Sequence, residues 1–147
     1  MKTIVLYYSF GGSTKAEAER IAAENDAVLC RVVETKNRSL ISSFVQGAPN
    51  AMKRKASEIK QIGQDLNSFD RIIIGCPIWG GYPAPAFNAI VELLPMDKEV
   101  ELFFCSGGGD TQKSSQGTRG LISKKGCKLI SYRDVKTEKS PGKAKEQ

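Results

Sequence analysis

The sequence predicts an α/β protein: a doubly wound sheet of five parallel strands, in the order 2-1-3-4-5, with helices on both faces. Two observations carry this. Short, nearly unbroken apolar runs alternate with amphipathic helical patterns along the chain, and glycine- and serine-rich segments fall where several of those runs end. The 147 residues, 40% hydrophobic and 26% charged, suit one domain with room for a core.

Residues 3–9 (TIVLYYS) are the first apolar run, as expected of a strand buried on both faces. Residues 13–25 set Ala18, Ile21 and Ala22 on one side, with Lys15, Glu19 and Arg20 elsewhere, and read as an amphipathic helix. Residues 27–33 are a second β-rich run, followed by a polar stretch at 35–39. Residues 40–62 read as helical, interrupted near Gly47-Ala48-Pro49. Residues 71–76 are the third strand, ending at Pro77. Residues 85–94 read as a helix, with Pro85 suited to its first turn. Residues 100–105 are the fourth strand. Residues 111–123 read as a helix that Gly117 and Gly120 weaken, and 127–135 are the fifth strand. One domain is thus expected over residues 1–135, with 136–147 (KTEKSPGKAKEQ) as a polar tail lacking apolar periodicity.

Composition narrows the chemistry. No apolar stretch approaches the roughly 20 residues of a membrane span. No signal-peptide pattern is present, so a cytoplasmic protein is expected. Cys30, Cys76, Cys105 and Cys127 form no C-x-x-C pair and histidine is absent, which argues against a zinc site and for reduced, buried thiols. Without histidine, Ser-His and Cys-His nucleophile systems are excluded. The net charge of +6 is uneven: residues 1–110 hold 12 Lys and Arg against 13 Asp and Glu, and residues 111–147 hold 10 against 3.

In an open parallel sheet, ligands bind beyond the carboxyl ends of the strands, near the reversal of strand order. The loops after strands one, three and four therefore share the site edge. The first is Ser9-Phe10-Gly11-Gly12-Ser13-Thr14. It is neither G-x-x-x-x-G-K-[ST] nor G-x-G-x-x-G. Its three hydroxyls, two glycines and helix N-terminus suit a phosphate without any arginine. A purely structural reading weighs equally, because Thr14 with Glu17 spells a capping box.

The second loop, Pro77-Ile78-Trp79-Gly80-Gly81-Tyr82, holds the chain's single tryptophan. Two large aromatics on a surface loop suit stacking on a flat heteroaromatic ring. The glycines let a peptide unit turn either its C=O or its N–H toward that ring. The alternative is that both aromatics cover the core edge. Beside a phosphate-type loop, the ring reading prevails. The third loop, Ser106-Gly107-Gly108-Gly109-Asp110, suits a wall where backbone passes flat against a ligand, or else a flexible turn.

At these residues the chain resembles the flavodoxin-like family, in its short-chain branch, over about residues 2–135. The family's first loop reads roughly S/T-x-T-G-x-T, its second carries P-x-W-x-G, and a glycine-rich third follows an FFC-like strand. The resemblance implies non-covalent flavin mononucleotide (FMN). It puts the phosphate on Ser9, Gly12, Ser13 and Thr14 and the isoalloxazine between Trp79 and Tyr82. The Gly80-Gly81 backbone would face the ring's reactive edge, with residues 106–110 on the far side. Three departures stand out: Gly11 replaces a frequent threonine, the chain is basic where many flavodoxins are acidic, and the closing helix after strand five is missing.

The expected function is an FMN redox protein carrying one or two electrons to a partner protein or small acceptor. No side chain reads as an acid, base or nucleophile, which favours a carrier over a dedicated catalyst. An NAD(P)H-dependent quinone reductase is the enzyme alternative. A binding module using the basic C-terminal quarter ranks lower, since no nucleic-acid motif is present. A missing fifth helix would bare an apolar sheet face on the side of the first helix, which a homodimer would cover.

Overall fold

The computed structural model describes residues 1–36 and 47–137. Strand β1 (Thr3–Tyr7) leads into helix α1 (Ser13–Asn25) and strand β2 (Val28–Arg31). A short helix α2 (Ala48–Met52) and a 3-10 turn (Leu66–Ser68) precede β3 (Arg71–Trp79) and the two-residue β4 (Tyr82–Pro83). Helix α3 (Pro85–Glu92), β5 (Glu99–Ser106), helix α4 (Ser115–Lys124) and β6 (Lys128–Lys136) complete the described chain. The parallel sheet runs β2-β1-β3-β5-β6, the expected order, with β4 added antiparallel to β3. Among the described residues, no helix is long and apolar enough to cross a membrane.

The two sheet faces differ. On one, Ile4, Leu6, Ile72, Ile74, Leu102 and Phe104 meet Phe87 and Ile90 of α3 and Ile122 of α4. Helix α3 is buried over seven of its eight residues, as its apolar composition requires. On the other face, α1 sets Ala18, Ile21 and Ala22 over Val5, Tyr7, Ile73, Phe103 and Cys105.

That second face corrects the expectation of a bare apolar patch. Alternate residues of a strand share a face, and toward β6 these positions are charged. Arg71 Nη2 lies 2.8 Å from Glu99 Oε1 and Arg71 Nη1 3.5 Å from Glu101 Oε2. Arg133 Nη1 reaches Glu17 Oε2 at 3.9 Å. The apolar residues of this face are themselves enclosed, Val5 at 0%, Ile73 at 2% and Phe103 at 1% exposure. The central strands of this face are therefore covered, and the apolar exposure left beside them is Leu29 at the β2 edge. Residues 138–147, most of the expected tail, lie outside the described residues.

The helix expected over 40–62 is also corrected. Residues 40–46 lie outside the described residues, and beyond them helix is confined to Ala48–Met52. After a turn at Lys53-Arg54 the chain runs without helix, pinned by Lys60 N–H to the Val33 carbonyl at 2.8 Å and by Thr35 N–H to the Glu58 carbonyl at 3.0 Å. Backbone pairing to the chain just beyond β2 overrides local helical spacing here. Residues 111–123 divide into a 3-10 turn, Gln112–Ser114, and α4.

All four cysteines are free and buried. Burial pushes the Cys105 thiol up to about 12 and raises Cys76 further. At pH 8 a thiol of that strength is thiolate in roughly one molecule in ten thousand. Native protein at that pH is expected to leave Cys76 and Cys105 unmodified by iodoacetamide, read by peptide mass spectrometry. Rapid labelling of either would contradict the packing described.

Candidate functional site

The three site loops stand at the carboxyl ends of β1, β3 and β5, which are neighbours in the sheet. The first turns through Gly12, whose φ of 106° is the left-handed conformation that glycine adopts without strain. Gly12, not Thr14, is the N-cap of α1, and no side chain caps the helix. The capping box is therefore not formed. Glu17 instead pairs with Arg20 (2.7 Å), which holds the Glu17 carboxyl below its usual range.

This frees the hydroxyls for something else. Thr14 is 1% exposed, and its Oγ1 is buried with no hydrogen-bond partner among the described residues. The Thr14 hydroxyl acts on the Cys105 thiol beside it, opposing the upward push of burial, and sulfur is a weak acceptor. Ser9 Oγ accepts the Gly12 N–H at 3.0 Å and keeps its own hydrogen to donate. Ala16 N–H to the Gly12 carbonyl (3.0 Å) is the first bond of the helix. The N–H groups of Ser13, Thr14 and Lys15 thus lie in the unsatisfied first turn. A buried hydroxyl without a partner costs about 1–3 kcal/mol. Beside open helix N–H groups, the donor set fits a phosphate.

The second loop is a correction. Strand β3 does not end at Pro77 but continues through Trp79 and pairs with β4, Ile78 to Pro83 and Trp79 to Tyr82. Gly80 (φ 63°) and Gly81 (φ 84°) form the two-residue turn. Such a hairpin turn needs positive φ at both positions, which suits Gly-Gly. Trp79 is accordingly not on a surface loop. It is 7% exposed, with the rings of Tyr8 and Phe10 edge-on at 6.1 and 5.8 Å. Gly47 lies close on its six-membered ring, where a Cβ would come within 2.8 Å. Tyr82 stays half-buried.

The third loop has internal order. Ser106 Oγ accepts the N–H groups of Gly108 (3.2 Å) and Gly109 (2.8 Å), and Asp110 Oδ1 accepts that of Gln112 (3.0 Å). The loops are tied together. Phe10 packs on Trp79, and Ser114 Oγ donates to the Gly81 carbonyl at 2.7 Å. Behind them, Asp134 accepts both the N–H and the hydroxyl of Thr111, and Tyr132 shares that hydroxyl. Burial raises the Tyr132 phenol above its usual range.

Sequence reading missed Arg54, Lys113 and Ser114. Arg54 lies in a left-handed conformation (φ 53°), with its guanidinium 5.4 Å from the Tyr82 ring and Nη2 donating to the Ser114 carbonyl at 2.9 Å. Lys113 lies across Gly81, its Nζ 5.7 Å from the same ring. Ser114 had a signal in its position just past the third loop. Arg54, one of three consecutive cations, had none. Among the described residues, no group of three His, Cys, Asp or Glu side chains could hold a metal ion.

A parallel sheet in this order, with glycine- and hydroxyl-rich loops gathered at the carboxyl ends of its central strands, is the flavodoxin-like fold. Solved structures bear out the resemblance read from the loops. The chain is similar to a flavoprotein from Lactobacillus acidophilus solved in complex with FMN, at 28% identity and a TM-score of 0.76, covering 90% of this chain and 92% of that one. A flavoprotein from Bacteroides eggerthii is 21% identical with a TM-score of 0.79, covering 93% and 90%. Oxidised flavodoxin 1 from Bacillus cereus matches at 14% identity and a TM-score of 0.55, covering 98% and 90%. No protein-family model and no curated protein matches.

Proposed function

We propose that the chain binds FMN at this edge and acts as a redox protein, carrying one or two electrons between partners. The observation that supports it most is the buried, unpartnered Thr14 hydroxyl at the open N-terminus of α1. The FMN held by the similar L. acidophilus flavoprotein agrees with that donor set. Bound here, FMN would supply reversible one- and two-electron exchange.

The chain's own residues would hold and shield it. Ser9, Ser13 and Thr14, with the N–H groups of the first turn, would take the phosphate. Tyr82 would flank the ring, with the buried Trp79 reaching it only through its small exposed part, the Gly80-Gly81 peptide would meet its edge, and residues 106–110 would border the far side. Of the carboxylates nearby, Glu34 is held by Tyr8 (2.6 Å), Asp134 by Thr111 (2.7 Å), and Asp110 accepts the Gln112 N–H (3.0 Å). A carrier, which needs no acid or base for a substrate, fits this set.

Two measurements test this. Trp79 is the chain's single tryptophan, so adding FMN to apoprotein is expected to quench its emission strongly. Unchanged emission would put the ring away from Trp79. The yellow protein is expected to bleach with dithionite and not with NADPH; bleaching by NADPH within minutes would make it a reductase.

A further inference from the structure

The site edge carries a collar of positive charge. Arg54 is its fixed part. A non-glycine residue in the left-handed region costs about 1–3 kcal/mol. The fold accepts that strain to place this guanidinium against Tyr82. Gly117 leaves room for it, since a Cβ there would lie 2.8 Å from Arg54 Nη2. Arg54 Nη1 is buried with no partner among the described residues.

Other cations surround it. Lys53 and Lys55 are exposed on either side of Arg54, and Lys113 is exposed across the Gly80-Gly81 hairpin. On the other flank, Arg31 and Lys36 line a cavity of about 240 Å³ beside Ser9 and Phe10. None of these six cations has an ion pair among the described residues. Three carboxylates share this edge, none of them in an ion pair with the six cations among the described residues. Glu34 is buried against Tyr8, Asp110 caps Gln112, and Asp134 is held by Thr111. The opposite edge mixes signs, with Asp70 beside Lys2 and Asp97 beside Lys98.

We infer that this edge docks an acidic partner protein, which approaches over the Gly80-Gly81 hairpin and sets its carboxylates against Lys53, Arg54, Lys55 and Lys113. That the partner is a redox protein rests on the proposed function; where it docks rests on the charges alone. Against three carboxylates and a doubly negative FMN phosphate, the six cations leave this edge a small positive excess in formal charge, with four of them at Lys53, Arg54, Lys55 and Lys113. Complementary charge steers encounter and selects partners, and it weakens as salt shortens the Debye length to about 10 Å at 0.1 M.

The test uses the full chain, FMN-loaded if it takes up FMN, with three probes: the acidic haem protein cytochrome b5, the basic cytochrome c, and a short duplex DNA. Dissociation constants are measured at low and physiological ionic strength. Cytochrome b5 is expected to bind about tenfold tighter than cytochrome c at low salt and to lose about tenfold at physiological salt. The Lys53→Glu/Lys55→Glu variant is expected to weaken cytochrome b5 by about tenfold or more while leaving the circular dichroism unchanged. Equal binding of both haem proteins, salt-independent binding, indifference to the charge reversal, or tighter binding of the DNA would each overturn the inference. A chain that takes up no FMN yet meets the cytochrome b5 criteria would leave the docking surface standing and remove the redox function.

Discussion

Gly75→Ala is expected to lower the unfolding free energy by about 2–3 kcal/mol, from the usual range for overpacking a core. Gly75 sits within β3, paired with Phe103 of β5. A Cβ there would stand 2.0 Å from Phe103 Cζ and 2.4 Å from both Cε atoms. The ring lies over the glycine and, at 1% exposure, has nowhere to withdraw. Alanine would gain about 0.5–1 kcal/mol by restricting the unfolded chain, which is less than the clash costs. Urea denaturation reads the net loss as a lower midpoint at constant slope. Adding Phe103→Leu is expected to recover part of it, since contacting residues couple non-additively. Wild-type stability in Gly75→Ala would mean that Phe103 does not cover Gly75, and the α1 side of the sheet would need repacking.

Thr14→Val is expected to move binding and stability in different directions. Valine has nearly the shape of threonine and removes a hydroxyl that is buried without a partner. Apoprotein stability should stay level or rise, because an unsatisfied buried hydroxyl costs about 1–3 kcal/mol. FMN affinity should fall by about 1.5–3 kcal/mol, the worth of a hydrogen bond to a charged group, which is roughly 10- to 150-fold. Riboflavin, lacking the phosphate, should bind the variant as it binds wild type. Loss of stability with unchanged FMN affinity would make Thr14 a structural residue.

The strands were the most legible part. A strand covered on both faces must be apolar throughout, so IleIleIle at 72–74 and LeuPhePheCys at 102–105 could be little else. The polar face was written in the same strands. Arg71, Glu99, Glu101 and Arg133 share the alternation of Ile73, Phe103 and Val135, a parity that a search for apolar runs passes over. Residues 58–60 misled because their extended form comes from pairing with Val33 and Thr35, distant in sequence. Pro77 seemed to end β3, yet the Gly-Gly pair between Trp79 and Tyr82 already marked a two-residue hairpin. The first loop was legible as a composition, but the state of its hydroxyls was not. That Thr14 lacks a partner while Gly12 caps α1 follows from the backbone turn at Gly12, which hydroxyl spacing does not encode.

The central claim is that the first loop holds the phosphate of FMN. Isothermal titration of apoprotein with FMN and with riboflavin, side by side, tests it most directly. FMN is expected to bind one to one and far more tightly than riboflavin, because the Ser9, Ser13 and Thr14 donors act on the phosphate alone. Equal affinities for the two, or no uptake of FMN, would contradict it.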